Sequence, residues 1–506
     1  MFRPASVGHE VPLPDTQTEG GARAAPPPSV LALVVALCAD EPERAGEVAI
    51  PPPGDPGPEV VWGRAASDGE ERRLVFQRHR PGRVSPRGEL SSPKVSRAQL
   101  RVRALGDRAI AVARVGRAPL LHNGDERDAI EVRPGDVLEI GRQIVLLCVR
   151  RPAWLDGSQA DDAFPFGAPD RHGIVGESAA AWELRRRIAF AGPRAGHALV
   201  LGPSGSGKEL VARALHARSS RAGRALVARS AATIPEGLVD AELFGNIRNY
   251  PSTGVPERPG MIGEADGSTL FLDEIGEIST TVQAHLLRLM DHGEYHRLGE
   301  ARARRADVRL VCATNRPESA LKHDLAARFS LRIAVPGLDE RPEDIPLVVS
   351  HLLRRMADED PVLRGRFFVE RDGQRHPRVS PSLMRLLLRR SYPTNVRELQ
   401  ALLWEALADS PEGRIEAPLR LAGPRSPARS EPPGAGPRPG PNTVSHPSAP
   451  PGDEAADGLS PAAVQACLDA HNGVLEEAWR ALGLSSRHAL ARLIKRHGLE
   501  VRRRPR

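Results

Sequence analysis

A glycine-rich loop that follows a short apolar run carries the clearest chemistry in this 506-residue sequence. The run at 198–201 predicts a buried strand, and apolar residues at helical spacing after Lys208 predict a helix. Small residues between them let several backbone N–H groups point at phosphate oxygens, and the lysine reaches the terminal phosphates. We therefore predict a nucleotide phosphate site made of Gly202, Pro203, Ser204, Gly205, Ser206, Gly207, Lys208 and Glu209.

A second apolar run, at 269–272, ends in two carboxylates, Asp273 and Glu274. The first is placed to hold Mg²⁺, and the second is placed to polarise an attacking water. The alternative is a buried strand with two solvated acids at its end. Next to the predicted phosphate loop, the pair favours Mg²⁺-assisted hydrolysis of a bound nucleotide.

Composition narrows the remaining possibilities. Lys and Arg number 71 and Asp and Glu 64, a net charge of +7. The last 20 residues hold eight Lys or Arg against one acid, which suggests a polyanion partner or a solvated basic tail. Four scattered cysteines without a CxxC pair argue against a zinc site or a disulfide framework. Because no apolar run is long enough for a bilayer and no signal peptide is evident, we expect a cytoplasmic protein without membrane contact.

Shifts in composition divide the chain into segments. Short apolar stretches separated by turn signals predict an all-β module, whereas alternating strands and helices predict an α/β domain. Stretches rich in Pro and Gly cannot bury enough apolar surface to fold. The predicted segments are 1–29, disordered; 30–150, a β-sandwich; 151–170, a linker; 171–422, an α/β domain; 423–457, a disordered linker; 458–498, three short helices; and 499–506, a basic tail.

Six motifs occur in order within the α/β segment. They are GPSGSGKE at 202–209, ELFG at 242–245, ADGSTLFLDEIGE at 265–277, RLVCATNR at 309–316, DERPEDIPL at 339–347 and NVREL at 395–399. The series resembles the AAA+ ATPase domain of sigma-54-dependent transcriptional activators, also called bacterial enhancer-binding proteins. The resemblance implies an α/β P-loop domain with a helical lid from about residue 340, ATP and Mg²⁺ as cofactors, and assembly from dimer to ring. It also implies RNA polymerase carrying sigma-54 as a partner.

The same resemblance implies roles for single residues. Asp273 would hold Mg²⁺, Glu274 would activate water, and Asn315 would sense the γ-phosphate. Arg397 in the lid would be a second sensor, and the alternative is a surface arginine on an amphipathic helix. Lys322 and Arg328 match the positions from which one subunit reaches the nucleotide of its neighbour.

Two residues and one loop segment depart from the family pattern. Lys322 replaces an arginine and lacks its two-pronged donor geometry, so we expect an ATPase with slow turnover. Residues 249–254 read NYPSTG where activators carry the sigma-contacting GAFTGA sequence. Arg229 stands where the family often has an asparagine that couples the nucleotide to Glu274. A DNA-binding regulator that binds ATP for assembly, without activating sigma-54, is therefore an open alternative.

Motifs in the β-rich segment resemble a forkhead-associated domain, a β-sandwich that binds phosphothreonine peptides. Arg83 and Arg97 would supply charge-assisted donors, Ser96 a hydroxyl, and Asn123 a grip on the peptide backbone. Gly63-Arg64 also fits the first motif, although Gly82-Arg83 lies at the more usual spacing, and Gln99 replaces the usual histidine. The alternative for this segment is a sandwich that packs without binding phosphate. For the whole chain, a third possibility beside the two regulators is a phosphopeptide adaptor whose nucleotide fold is purely structural.

The three predicted helices near the C-terminus have helix-turn-helix spacing and resemble a Fis-type DNA-binding domain. The predicted groove and phosphate contacts are Ser485, Ser486, Arg487, His488 and Arg492. A small dimerisation bundle is the alternative, and both can hold. Together the segments predict a phosphopeptide-gated regulator that binds an upstream operator or enhancer and remodels RNA polymerase with ATP.

Overall fold

The computed structural model describes residues 11–12, 26–64, 72–88, 90, 92–157, 163–371, 373–411, 413–418, 420, 464–465 and 469. The chain divides into two compact units, Met1–Ser430 and Glu431–Arg506. All elements below belong to the first unit. The linker predicted at 423–457 lies outside the described residues, and so does nearly all of the helix-turn-helix at 458–498. The predicted DNA contacts Ser485, Ser486, Arg487, His488 and Arg492 also lie outside them.

Two antiparallel sheets form the amino-terminal β module, as the turn-separated apolar stretches predicted. One sheet has the strand order β1-β6-β5-β3-β2-β13-β12-β9-β10, and the other has the order β11-β8-β7-β4. The strands are β1 (Val11–Pro12), β2 (Ser29–Cys38), β3 (Val48–Ala49), β4 (Val60–Trp62), β5 (Gln77–Arg80), β6 (Arg83–Pro86), β7 (Leu100–Leu105), β8 (Ala109–Arg114), β9 (Leu120–His122), β10 (Asp125–Glu126), β11 (Ala129–Val132), β12 (Val137–Ile140) and β13 (Ile144–Pro152).

The longest apolar strand, β2, is buried on both faces. Leu33 and Val35 face the core between the two sheets, where they join Val102 and Ile110. Alternate residues such as Val34 point the other way into a second core. Because successive side chains of a strand point to opposite faces, a continuous apolar run requires a covering layer on each side.

A parallel five-stranded sheet with the order β15-β16-β19-β14-β20 forms the centre of the α/β domain. Helices cover both of its faces. The side chains of the sheet accordingly belong to two separate apolar cores. The elements are α1 (Ala179–Ala191), β14 (Ala198–Leu201), α2 (Lys208–Ala217), β15 (Val227–Ser230), α3 (Val239–Phe244), α4 (Gly260–Glu264), β16 (Thr269–Asp273), α5 (Thr280–His292), β17 (Glu294–Tyr295), β18 (Arg304–Arg305), β19 (Arg309–Thr314), α6 (His323–Arg328) and β20 (Leu331–Ala334).

A helical lid follows, and it covers the outer face of β2. Its core residues Leu383 and Leu387 share one apolar cluster with Val34 and Leu147 of the β module. Arg385 of the lid also forms an ion pair with Glu139. The lid elements are α7 (Ile345–Glu359), α8 (Pro361–Phe367), β21 (Phe368–Arg371), β22 (Gln374–Pro377), α9 (Pro381–Leu388) and α10 (Val396–Asp409).

The segment 163–170, predicted to be part of a linker, is packed in place. Phe164 stacks on Trp182 of α1, with ring centroids 5.9 Å apart. The guanidinium of Arg80 lies 4.5 Å from the Phe164 ring and pairs with Glu177 at 2.7 Å. The β module is therefore joined to the α/β domain by contacts as well as by the chain. No helix in the described part of the chain has the length and apolar character needed to cross a membrane.

Candidate nucleotide-binding site

The glycine-rich loop connects β14 to α2, in the order strand, loop, helix that the sequence predicted. Gly205 and Gly207 have φ values of +71° and +98°, which side-chain-bearing residues rarely adopt. A Cβ atom on Gly205 would lie 2.2 Å from the carbonyl oxygen of Thr394 in the lid. The glycines therefore allow both the curl of the loop and the close approach of the lid backbone.

Lys208 lies inside this loop. Its amino group donates to the carbonyl oxygens of Gly202 and Pro203, both at 3.1 Å, and the residue is only 8 % exposed. Burial lowers the pKa of Lys208, and the charges of Asp273 and Glu274 partly offset this effect. The ammonium is thus placed where an incoming phosphate can take over its hydrogen bonds.

The loop also contains a buried hydroxyl without a hydrogen-bond partner among the described residues, that of Ser206. Buried polar groups normally have partners, so this one indicates a missing polar ligand. A phosphate oxygen or a water bound to Mg²⁺ has the chemistry to supply the bond. The loop therefore fits a bound nucleotide.

The two predicted carboxylates lie at the carboxyl edge of the same sheet, two strands from the loop. Asp273 ends β16 and accepts a bond from the backbone N–H of Glu274 at 2.9 Å. Glu274 has a left-handed φ of +56° and accepts a bond from the hydroxyl of Ser230 at 2.9 Å. Mg²⁺ is usually held by one or two carboxylates together with substrate phosphates, which suits this arrangement.

Ser230 is a site residue that the sequence analysis did not identify. The family pattern instead marks its neighbour Arg229, which stands in place of a coupling asparagine, and the Arg229 guanidinium donates to the carbonyl of Ala228. Alternate residues of a strand point to opposite faces, so only one of the two can reach Glu274. The polar serine at the carboxyl end of β15, beside the strand that ends at Asp273, was the available signal.

Asn315 directly follows β19, the strand between β14 and β16, and its side chain is exposed. The backbone N–H of Gly202 donates to the carbonyl of Thr314 at 3.2 Å, which joins this strand end to the loop. Asn315 therefore lies at the sheet edge that carries the other predicted site residues.

The lid also contacts the glycine-rich loop. The guanidinium of Arg397 donates to the Ser204 hydroxyl at 2.9 Å, and the N–H of Val396 donates to the Gly205 carbonyl at 3.2 Å. The Asn395 side chain bonds the Ser204 carbonyl at 2.9 Å. Arg397 is exposed, yet its charged end lies on the loop. Asn395 was missed as a site residue, although its place in NVREL was known.

Three predicted residues do not join this cluster. The carboxylate of Glu209 pairs with Arg213 at 2.7 Å on an exposed face of α2. Lys322 precedes α6, where its backbone N–H bonds the Gln283 side chain. Arg328 ends α6 and pairs with Asp291. Both basic side chains are exposed, as a contact to a neighbouring subunit requires.

The segment that carries residues 249–254 forms a loop between α3 and α4. Its base is closed by a bridge between Asn246 and Arg258. Near its tip, the side chain of Asn249 accepts a bond from the N–H of Gly254 at 2.9 Å, and Tyr250 is 39 % exposed. The loop therefore has a compact, exposed tip with its own sequence.

The structure distributes the residues predicted to bind a phosphopeptide over both sheets of the β module. Arg83 lies in β6, near one edge of the nine-stranded sheet, whereas Ser96 precedes β7 of the other sheet. The N–H of Arg64 instead donates to the Ser96 carbonyl at 3.0 Å, because β4 pairs directly with β7. Arg64 is thus bonded through its backbone to the segment that carries Ser96, and the guanidinium of Arg73 donates to the carbonyl of Arg97 at 3.2 Å in the same segment.

Asn123 lies in the β9–β10 turn, where its side chain bonds Asp136 at 2.7 Å and the N–H of Val137 at 2.9 Å. At the other end of β9, the N–H of Arg117 donates to the Ser96 hydroxyl at 3.0 Å.

Gln99 takes the structural place expected of the missing histidine. It is fully buried, and its amide bonds the N–H of Ser96 at 3.2 Å and the carbonyl of Ala118 at 2.8 Å. The loop that carries Ser96 is therefore held in position without a histidine.

Comparison with known proteins defines the class. A sigma-54 interaction domain matches residues 174–335, and an AAA+ ATPase lid domain matches residues 339–419. The transcriptional regulatory protein ZraR of Klebsiella oxytoca is 34% identical over 334 residues, which cover 63% of this chain and 68% of ZraR. The chain therefore belongs to the family of sigma-54-dependent transcriptional regulators.

Other relatives match over shorter shares of their length. The nitric oxide reductase transcription regulator NorR of Aeromonas hydrophila is 35% identical over 346 residues, 66% of this chain and 65% of NorR. ZraR of Salmonella typhimurium is 38% identical over 251 residues, 48% of this chain and 54% of ZraR. The chain thus spans about half to two thirds of the curated relatives it matches. The crystal structure of NtrX from Brucella abortus with ATP is 26% identical, with a TM-score of 0.43, and covers 66% of this chain and 70% of NtrX.

Proposed function

We propose that this protein is an ATP-dependent, DNA-binding regulator that remodels RNA polymerase holoenzyme carrying sigma-54. One arrangement carries the proposal. Lys208 and the lid residue Arg397 both bond the glycine-rich loop. The carboxylates of Asp273 and Glu274 lie at the same edge of the sheet. These residue types in this order fit Mg·ATP binding and hydrolysis.

Each residue has a defined part in the proposed reaction. The loop N–H groups and Lys208 would bind the phosphates, and Asp273 would hold Mg²⁺, which neutralises charge on the phosphates when bound. Glu274 would orient the attacking water and accept its proton. Ser230 bonds one oxygen of Glu274, so this bond would compete with water for the carboxylate.

The exposed cations Lys322 and Arg328 would act on the nucleotide of a neighbouring subunit in an oligomer. Arg328 is paired with Asp291 and has to exchange this partner for the phosphate. A lysine in place of one arginine gives weaker stabilisation of the transition state. We therefore retain slow turnover as the expected activity.

The test is ATP turnover combined with transcription from a sigma-54 promoter in vitro. Wild-type protein should hydrolyse ATP and activate the promoter, and Glu274→Gln should abolish both. Glu131→Gln, an exposed position in the β module, is the matched control and should change neither. Retained turnover in Glu274→Gln would refute the assigned role of this residue.

A second candidate function is favoured by the altered loop tip at 249–254 and by Lys322. In this case ATP controls assembly, and the promoter is not activated. Saturable ATP binding that is lost in Lys208→Ala, together with no turnover, would select this function.

For the β module we propose phosphothreonine binding by Arg64, Ser96 and Arg97. The support is the backbone hydrogen bond from Arg64 to the Ser96 carbonyl, together with the N–H of Arg117 that donates to the Ser96 hydroxyl. In a peptide titration, Arg64→Ala and Arg97→Ala should each weaken phosphopeptide binding, and Arg83→Ala is the matched control on the other sheet. Equal affinity for phosphorylated and unphosphorylated peptides would exclude the assignment.

For the carboxyl-terminal segment we propose binding to an upstream operator or enhancer through Arg487, Arg492 and their neighbours. The support is the basic third helix of the predicted helix-turn-helix. Mobility shifts at several salt concentrations should show weaker binding, with a smaller salt dependence, for Arg487→Ala. Arg302→Ala, an exposed arginine of the α/β domain, is the control.

A further inference from the structure

A cavity of about 570 Å³ lies where the β module, the segment 165–168 and the lid meet. Five arginines line it, against two carboxylates, Glu43 and Asp358. It shares no lining residue with the glycine-rich loop or with the sheet edge that carries Glu274. Its volume is within the range of small-molecule sites. The cavity is therefore a separate site of positive charge.

On the β-module wall, positive charge exceeds the carboxylates that pair with it. Arg78 lies 3.1 Å from Glu47, and Arg87 lies 3.6 Å from the same carboxylate. Arg44, which is buried behind them, also pairs with Glu47. Glu41 also lies 3.6 Å from Arg44, so two carboxylates serve three guanidinium groups and their positive charge is only partly balanced.

On the lid wall, two arginines bond only to carbonyl groups. Arg354 donates to the carbonyl of Arg375 at 3.0 Å, and Arg371 donates to the carbonyl of Asp40. Within the described ranges, neither has a carboxylate at ion-pair distance. Burial lowers the pKa of Arg354, because the cation is partly withdrawn from water. An anion in the cavity would supply the compensating charge.

The remaining lining is apolar. Phe166 lies under the guanidinium of Arg78, 4.8 Å from its ring centroid, and Leu347 and Ala357 come from α7. Arg78 is therefore oriented by a ring on one side and by Glu47 on the other. Such a mixture of oriented cations and apolar surface suits a ligand with one charged end and one organic end.

We propose that this cavity binds a small organic phosphate, with Arg354, Arg371 and Arg78 at the phosphate and Phe166 and Leu347 against the organic part. A bound ligand would contact both the lid and the β module. This site does not depend on the proposed ATPase or on phosphopeptide binding.

The test uses the full chain with Lys208→Ala, so that the glycine-rich loop does not dominate nucleotide binding. Calorimetric titrations with AMP, ribose 5-phosphate and inorganic phosphate distinguish whether the organic part and its ring contribute. We expect saturable binding of at least one organic phosphate with a Kd below about 1 mM. Arg354→Ala and Arg371→Ala should each weaken it by at least about tenfold, whereas Arg302→Ala should leave it unchanged.

A filling variant protects the test against misfolding. Ser350→Trp keeps all five arginines but places a large ring in the cavity, so it should also prevent binding. Thermal unfolding of each variant without ligand confirms that it is folded. The proposal is overturned if none of the probes binds, if inorganic phosphate binds as tightly as the organic phosphates, or if Ser350→Trp and Arg354→Ala bind like the Arg302→Ala control.

Discussion

At the scale of single residues, the hydrogen bond between Ser230 and Glu274 is the feature with the clearest consequence. A carboxylate that already accepts a bond from a serine is less free to accept one from water. Ser230 follows Arg229, which stands where the family often has an asparagine that couples the nucleotide to Glu274. Because side chains alternate along a strand, the residue that contacts Glu274 here is Ser230, one position later.

We expect Ser230→Ala to raise basal ATP turnover by about 2- to 10-fold, the value of one ordinary hydrogen bond. Steady-state hydrolysis by purified protein measures this directly. Arg229→Ala is the neighbouring control and should have little effect. An increase in Arg229→Ala without one in Ser230→Ala would show that the contact seen here is not the controlling one.

Lys322 offers a second prediction at this scale. Lys322→Arg restores a planar, two-pronged donor, so turnover in the assembled state should rise by at least about tenfold. Lys94→Arg in the β module is the control. Because the effect requires a neighbouring subunit, it should disappear at protein concentrations where the chain is monomeric. Equal turnover of the wild type and Lys322→Arg would remove the argument for slow hydrolysis.

At the scale of elements, the glycine-rich loop and the lid meet through both backbone and side-chain groups. The N–H of Val396 donates to the Gly205 carbonyl at 3.2 Å, and the Asn395 side chain bonds the Ser204 carbonyl at 2.9 Å and the N–H of Leu338 at 2.7 Å. Such a contact transmits a change in loop shape directly to the start of α10. It also makes the contact sensitive to a single added methyl group.

Gly205→Ala should therefore weaken ATP binding by at least about tenfold, because the new Cβ would clash with the Thr394 carbonyl in addition to the cost of the left-handed backbone. Gly373→Ala is a matched control, since Gly373 has the same φ of +71° but nothing within 4 Å of the added atom. Nucleotide titration of both variants separates the clash from the conformational cost. Similar losses in both variants would show that the close approach is unimportant.

At the scale of the whole molecule, the β module and the lid share one apolar core. Val34 and Leu147 lie in the same cluster as Leu387, and the ion pair between Glu139 and Arg385 joins the same surfaces. The β module and the lid are therefore packed directly against each other, and we expect the two to unfold together.

Leu387→Ala should lower stability by about 2–5 kcal/mol, the usual cost of a buried leucine truncation. It should also lower hydrogen-exchange protection in both β2 and α7, because they share the core. Leu286→Ala in the core of the α/β domain is the control, with a side chain that is equally buried. If exchange in β2 is unchanged by Leu387→Ala, the β module is stable independently of the lid.

The sequence by itself determined the parts whose chemistry depends on neighbours along the chain. The loop at 202–208, the strand ending at Asp273 and the start of α10 at NVREL are local patterns, and the structure has each of them. The presence of a β-rich amino-terminal module also followed from local turn signals and apolar stretches.

Tertiary structure alone decided which distant segments meet. Strand pairing placed Arg64, and not Arg83, beside Ser96, and pleating chose Ser230 over Arg229 as the partner of Glu274. Because β2 is apolar on its second face as well, a further layer has to cover that face, but only the fold identified the lid as this layer. Spacing along a chain fixes local geometry, whereas contacts between segments depend on how sheets and helices pack in three dimensions.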